Sequence, residues 1–270
     1  MNVGLMGFGK AGRAVAAVLL ESKRTNLRWV IRQSTVLQHR SVPEFLGVSS
    51  DEPGLIYSKQ EYEIGTLLDE HPVDVIVDFS SESGLDYYGA EAARRGITVV
   101  SAVSHYPDEQ LANLRSMAER TKVMHSPNIT LGINFVIIAS RILRNIAPDV
   151  DVEILEEHFR AKAGVSGTAK VIAHELGLPD NSIKTIRAGG IVGVHEVLFG
   201  FPNQTVRLKH ESISREAFGT GALFAIENLE DKPNGLYAME DLLIPYFRLR
   251  ESEAEILEAK RIPWWRVWGR

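Results

Sequence analysis

Apolar and polar positions follow two different patterns along this chain. In the first half, short apolar runs alternate with amphipathic stretches. Residues 3–7 are apolar and end in glycine, and Ala11 to Leu20 reads as a helix rich in Ala, Val and Leu. Leu27 to Ile31 is a second run, ending at Arg32, and Val73 to Phe79 a third, ending in Asp78-Phe79-Ser80-Ser81. A helical stretch from Gly84 to Arg95 is stopped by Gly96, and the strand-like Ile97 to Val100 follows. Asp108 to Arg120 reads as helix and Lys122 to Met124 as strand. Apolar strands alternating with helices predict an α/β fold on a parallel, doubly wound sheet.

Near Asn128 the pattern changes. Asn134 to Ile146 sets Phe135, Ile138, Ile142 and Ile146 at helical spacing, which predicts packing along that side. Val150 to Glu157 reads as a strand and Thr168 to Leu176 as a helix closed by Gly177 and Pro179. Long strands are then predicted over Ile183 to Ala188, Gly190 to Phe199 and Thr205 to His210, with Gly200 to Asn203 as a hairpin connection. Ala217 to Asn228 is helical and Pro233-Asn234-Gly235 a turn. A charged helix, Glu251 to Lys260, and the aromatic run Pro263 to Trp268 close the chain. The expected organisation is a nucleotide-type domain over 1–127, completed by 234–270, and an α+β domain with an open mixed sheet over 128–233.

Composition narrows the function classes. The net charge of −5 and pI near 5.9 argue against nucleic acid or an anionic membrane as partner. No apolar run approaches a membrane span, and the chain opens on a strand without a basic leader, so a cytoplasmic protein is expected. The 270 residues contain no cysteine. That excludes a disulfide framework, a thiolate zinc site and a cysteine nucleophile, and with the last the aldehyde dehydrogenases that work through a thioester. His, Asp and Glu do not cluster at metal-ligand spacing, so no metal is expected.

Two segments carry candidate chemistry. Gly7-Phe8-Gly9-Lys10-Ala11-Gly12 has the G-x-G-x-x-G spacing between strand and helix. The first glycine permits the tight turn, the second lets backbone approach a pyrophosphate, and the third lets helix and strand pack closely. An acid ending the second strand would bind the ribose hydroxyls of NAD. Here that position is Arg32, followed by Gln33-Ser34-Thr35, which favours the 2′-phosphate of NADPH and leaves NADH as the other candidate.

The second segment is residues 156–169. His158 and Lys162 stand four apart and precede the small-residue turn Ser166-Gly167-Thr168. An imidazole and an ammonium beside a turn rich in backbone N–H groups suit proton transfer on a substrate that carries carboxylates. His125 reads as a strand end, and His195, in an alternating strand, as a structural neighbour of the site.

At these residues the chain resembles the dihydrodipicolinate reductase family over nearly its whole length. The matching motifs are the glycine turn, Val77 to Ser80, Ser126 to Asn134, the His158 segment, Ile191 to His195, Ser214 to Phe218 and Gly235 to Asp241. The resemblance implies an N-terminal Rossmann domain, a C-terminal substrate and tetramerisation domain (a dimer being the other candidate), and a nicotinamide cofactor. It implies that hydride reduces a cyclic, unsaturated dicarboxylate. His158 and Lys162 match the acid/base pair, Ser166, Gly167 and Thr168 the carboxylate-binding turn, and Phe79, Ser80, Asn128 and Arg215 cofactor-side positions.

The chain also departs from the family. Phe159 replaces a second histidine. Ala163-Gly164-Val165 replaces Asp-Ala-Pro, one residue closer to the serine. Ser101-Ala102-Val103-Ser104 replaces Gly-Thr-Thr-Gly, so Val103 lacks a hydroxyl donor. These changes predict altered substrate specificity, with His105 and Tyr106 as candidate new polar contacts. They also keep open a non-catalytic nucleotide-binding protein, or an amino-acid or semialdehyde dehydrogenase.

Overall fold

The computed structural model describes residues 1–247. The expected helix Glu251 to Lys260 and the aromatic run Pro263 to Trp268 lie outside the described residues.

The first half alternates strand and helix as expected, with α2, β3 and α3 added where the sequence pattern marks no element: β1 (Asn2–Met6), α1 (Lys10–Glu21), β2 (Asn26–Arg32), α2 (Val42–Leu46), β3 (Leu55–Ser58), α3 (Ile64–Glu70), β4 (Val75–Asp78), α4 (Gly84–Arg95), β5 (Thr98–Ser101), α5 (Asp108–Ala118) and β6 (Lys122–His125). The second half contains α6 (Leu131–Ile146), β7 (Asp151–His158), α7 (Gly167–Glu175), β8 (Ile183–Arg187), β9 (Val194–Phe201), β10 (Gln204–Glu211), α8 (Glu216–Leu229), β11 (Gly235–Tyr237) and α9 (Met239–Leu243).

Among the described residues, the first sheet has the order β11-β6-β5-β4-β1-β2-β3, with every pairing parallel. The chain direction of winding reverses between β1 and β4. In doubly wound sheets the crevice beyond the strand carboxyl ends at that point is where ligands bind. Both β1 and β4 are buried almost throughout, as continuous apolar runs in a two-faced parallel sheet should be. The second sheet, β10-β9-β7-β8, is mixed: β7 and β8 are parallel and the remaining pairs antiparallel. Pro202 and Asn203 form the two-residue connection between β9 and β10.

Other results also differ from the sequence pattern: β9 starts at Val194 rather than Gly190 and runs through Gly200 and Phe201, which are expected in the connection. β11 lies where a turn is expected, because Gly235 to Tyr237 adds a three-residue edge strand beside β6. The stripe expected to pack on α6 is largely exposed. Phe135, Ile142 and Ile146 are 51%, 43% and 72% accessible, whereas Ile133, Val136 and Ser140 are buried. α6 packs on both halves of the chain: Ile138 enters the core that contains Val15 and Leu19 of α1, and Ile133 and Val136 the core beside the second sheet. A helix apolar on several sides gives no unique stripe. Finally, α8 packs on α1, and its Ala222, Ala225, Ile226 and Leu229 enter the same core as Val15 and Leu19. Each large side chain buried there contributes about 1.5–3 kcal/mol, so α8 ties the second half of the chain firmly to the first sheet.

Candidate active site

The glycine turn connects β1 to α1. Gly7 has a φ of 94°, and a Cβ there would lie 2.5 Å from the Phe79 carbonyl oxygen. A Cβ on Gly12 would lie 2.1 Å from the Gly7 oxygen. Both positions therefore require glycine for close approach. Gly9 is different: its Cβ direction points into open space, the room that a pyrophosphate approaching the backbone needs. Lys10 and Ala11 open α1, whose free N–H groups face the same way.

A cavity of about 350 Å³ begins at this turn. Gly7, Gly9, Arg32, Phe79 and Ser80 all line it, and so does Lys59, just past β3. Among the described residues, no carboxylate lines it. The open Gly9 backbone, the helix start and the acid-free wall fit a pyridine dinucleotide. Lys10 and Arg215 line a neighbouring hollow together with Val192 from the second half of the chain.

Phe79 and Ser80 are fixed from behind by Asp78, which is fully buried. Its carboxylate accepts from the Ser80 N–H at 2.8 Å, the Ser80 hydroxyl at 2.5 Å and the Tyr88 hydroxyl at 2.9 Å. Burial raises the Asp78 pKa, and the hydrogen bonds from Ser80 and the two tyrosines oppose that rise. Tyr106 is not a substrate contact. It is 3% exposed, and its hydroxyl lies 2.9 Å from Ser101 Oγ and 3.4 Å from Asp78. Those partners draw the segment inward, and Val103 is buried in the core beside it. The Val103 side chain thus fills core volume. His105 is exposed. His125 ends β6 and binds the Val103 carbonyl through Nε2 at 3.0 Å.

The second group of residues centres on one carboxylate that the sequence did not mark. The strand β7 alternates, so Val152, Ile154, Glu156 and His158 share its inner face. Glu156 is fully buried and accepts a two-pronged contact from Arg187 at 2.8 and 2.6 Å. It also accepts from the Thr185 hydroxyl at 3.0 Å and the Ser166 N–H at 3.2 Å. Its Oε2 lies 2.6 Å from His158 Nδ1. Burial pushes the Glu156 pKa up, but the bonds from Arg187, His158, Ser166 and Thr185 outweigh it and hold the acid at about 2. An ionised carboxylate fixes the proton of His158 on Nδ1, and Nε2 is the nitrogen left to exchange one.

Arg187 does more than neutralise Glu156. It donates to the Lys162 carbonyl at 3.1 Å and to the Gly164 carbonyl at 2.5 Å. The shortened Ala163–Val165 segment turns through Gly164 at a φ of 64°, so the loop carrying Lys162 closes on Arg187. The Lys162 side chain is half-buried, and its charge lies close enough to bear on His195.

Ser166 caps α7, with Gly167 and Thr168 in its first turn. Their N–H groups belong to the unpaired start of a nine-residue helix and can hold a carboxylate. His195 positions this turn: its Nε2 lies 2.8 Å from Ser166 Oγ. Its ring meets that of His158 edge-on at 5.3 Å. Burial, and then the charge of His158, lower its pKa to about 4, so it is neutral near pH 7. Asn128 lies in the link after β6, outside the main cavity. It donates to Thr168 Oγ1 at 3.2 Å and so joins the first half of the chain to the anion turn.

The structure brings the glycine turn, Arg32, Phe79 and Ser80 to one cavity, and His158, the Lys162 loop and the 166–168 turn to one cluster. Lys59, Glu156, Arg187 and Thr185, which the sequence does not mark, lie among them. The parity of β7 could have revealed Glu156, since a carboxylate on the same strand face as two core residues needs a partner.

The family model for the N-terminus of dihydrodipicolinate reductase matches residues 1–129, and that for its C-terminus matches 129–243. A 4-hydroxy-tetrahydrodipicolinate reductase of Caldanaerobacter subterraneus subsp. tengcongensis is 34% identical over 192 residues, covering 63% of this chain and 76% of that protein. One from Exiguobacterium sp. is 27% identical over 265 residues, covering 90% and 95%. The dipicolinate-bound dihydrodipicolinate reductase of Paenisporosarcina sp. TG-14 superposes with a TM-score of 0.75 at 20% identity, over 89% of this chain and 98% of that one. An amine dehydrogenase of Mycobacterium smegmatis shares the fold at a TM-score of 0.61 and 13% identity, over 89% and 95%. Both halves of the sequence, with their motifs in order, make this chain a member of the dihydrodipicolinate reductase family of pyridine-nucleotide-dependent reductases.

Proposed function

We propose that the protein reduces 4-hydroxy-tetrahydrodipicolinate or a closely related cyclic, imine-like dicarboxylate, with NADPH as preferred cofactor and His158 and Lys162 as the proton-handling pair. The observation that carries this reading is the Glu156–Arg187 hub. It holds His158, the Lys162 loop and the Ser166 turn in one cluster, which Asn128 joins to the nucleotide half.

In this reading the glycine turn, Lys10 and the start of α1 hold the phosphates, Phe79 and Ser80 border the nicotinamide, and Arg32 meets the adenosine ribose. Asn128 and Arg215 are the remaining cofactor-side positions. The bound, reduced nicotinamide supplies the hydride. Gly167 and Thr168 N–H groups, with the Ser166 and Thr168 hydroxyls, orient a substrate carboxylate. The Lys162 ammonium offsets its charge and is a proton donor to the substrate. His158 gives or takes a proton at Nε2 while Glu156 keeps Nδ1 protonated and the ring in place. The proton ends on the substrate, and the pair is recharged from solvent.

The test is substrate-dependent oxidation of NADPH by the purified protein. Turnover with 4-hydroxy-tetrahydrodipicolinate supports the reading. Cofactor binding without oxidation, across this substrate and other cyclic imines, would favour a nucleotide-binding protein on the same scaffold. The family assignment does not favour that alternative or an amino-acid or semialdehyde dehydrogenase.

We also infer a homo-oligomer, a tetramer in the first instance, acting in the cytoplasm. α6 and α7 cover one face of the second sheet, and half-exposed Leu155 and Leu198 lie on the other. A monomer mass by light scattering would remove the oligomer. Among the described residues, no helix is long and apolar enough to cross a membrane.

A further inference from the structure

The cavity at the glycine turn holds a second cation besides Arg32. Strand β3 runs parallel to β2, with Arg32 opposite Ser58. Lys59 follows immediately, and its backbone N–H donates to the Arg32 carbonyl at 3.0 Å. The carboxyl ends of the two strands thus carry the two cations to one wall of one cavity. Among the described residues, neither is in an ion pair.

The wall is also pre-shaped. The Arg32 guanidinium donates to the Val36 carbonyl at 2.7 Å, a neutral acceptor that leaves its charge uncompensated. The loop holding Val36 is fixed by two left-handed residues, Leu37 at a φ of 72° and His39 at 60°. His39 N–H bonds the Ile56 carbonyl at 2.7 Å, and Ile56 N–H the Arg40 carbonyl at 3.0 Å, which straps the loop onto β3. Non-glycine residues persist in that conformation only where their surroundings impose it. Two uncompensated cations on a fixed, acid-free wall suit a dianion.

We propose that Lys59 determines cofactor specificity, binding with Arg32 the phosphate monoester on the adenosine ribose of NADPH. Arg32 offers a planar fork to two phosphate oxygens, and Lys59 a compact charge with three donors to the third. NADH has a hydroxyl at that position and leaves both cations unmatched. The inference rests on the NADPH reading above, and it assigns a role to a residue that the glycine motif does not reach.

The experiment is a binding titration of the full chain, and of Lys59→Ala and Lys59→Arg, with NADPH, NADH and 2′,5′-ADP. The wild type should bind NADPH more tightly than NADH. Lys59→Ala should lose roughly tenfold in affinity for NADPH and 2′,5′-ADP, with NADH changing by less than about threefold, as expected for one charge-assisted contact. Lys59→Arg should restore most of the loss. If the wild type prefers NADPH and Lys59→Ala keeps the same preference, the role of Lys59 is overturned while the cofactor reading stands. An equal loss for both nucleotides would likewise overturn it, by showing a merely structural effect. A wild type without preference would overturn the NADPH reading and this inference with it.

Discussion

The Glu156 carboxylate lies 2.6 Å from Nδ1 of His158, on the same buried face of one strand and two residues away. The contact sets the imidazole tautomer and leaves Nε2, which lies beside Gly193, as the nitrogen able to exchange a proton. Glu156→Gln preserves the volume and presents an amide in place of the acceptor. It should lower kcat by about 100-fold or more, up to the roughly 10⁴-fold that a wrongly set histidine tautomer costs, with cofactor affinity unchanged. The measurement is kcat and the NADPH dissociation constant of the same preparation. An unchanged kcat would remove Glu156 from the positioning of His158.

Lys162 is placed by its backbone, whose carbonyl accepts from Arg187 and whose N–H donates to the Phe159 carbonyl at 3.0 Å, and among the described residues its ammonium has no hydrogen-bond or ion-pair partner. Lys162→Ala should lower turnover by roughly 10²–10⁴-fold, the usual weight of a general acid, while NADPH binding stays near that of the wild type. Steady-state rates beside a nucleotide titration check it. Equal rates would take Lys162 out of the mechanism.

Gly9 and Gly12, three residues apart in the same turn, should fail differently when replaced. Gly12→Ala drives a Cβ to 2.1 Å from the Gly7 oxygen, and should cost several kcal/mol, about 1–3 for the overpacking alone and more for the backbone shift. Gly9→Ala meets no protein atom. It should cost about 1 kcal/mol or less in stability, yet weaken NADPH binding at least roughly tenfold by filling the space of the pyrophosphate. Thermal melting with and without NADPH separates the two effects.

His195 gives the fold a defined acid sensitivity. Its folded pKa of about 4 lies below the usual imidazole value of 6.5. Between those values the unfolded chain binds the extra proton and the folded chain does not, so stability falls as pH drops from about 6.5 to 4. The shift corresponds to at most about 3 kcal/mol. His195→Gln should flatten that part of the curve of denaturation midpoint against pH. A mutant slope equal to the wild type would show that His195 does not titrate there. Glu156 acts in the same direction at lower pH: held at about 2, it loses its contribution between its unfolded value of 4.5 and about 2.

The cofactor half was legible because its chemistry is local. Three glycines between a strand and a helix, and an arginine at the next strand end, occupy consecutive or regularly spaced positions. The substrate half was legible only in its anchor residues. Arg187 lies 31 residues from Glu156, and nothing near it in sequence marks the pairing. β3 was hidden for another reason: four residues after Asp51-Glu52-Pro53-Gly54 give too short a run to read, and Lys59 was hidden with it. Tyr106 read as a polar contact because a hydroxyl gives no sign of facing inward. Its partner Asp78 is 28 residues away.

In the proposed function both halves of the chain close on one nicotinamide, with His158 and Lys162 aimed at its reactive face. A crystal structure of the protein with NADPH and a substrate-like dicarboxylate tests it most directly. The account predicts the nicotinamide beside Phe79 and Ser80, a carboxylate on the N–H groups of Gly167 and Thr168, and His158 Nε2 and the Lys162 ammonium turned toward the ring between them. A nicotinamide seated elsewhere, or a dicarboxylate bound with both side chains facing away from it, would contradict the account.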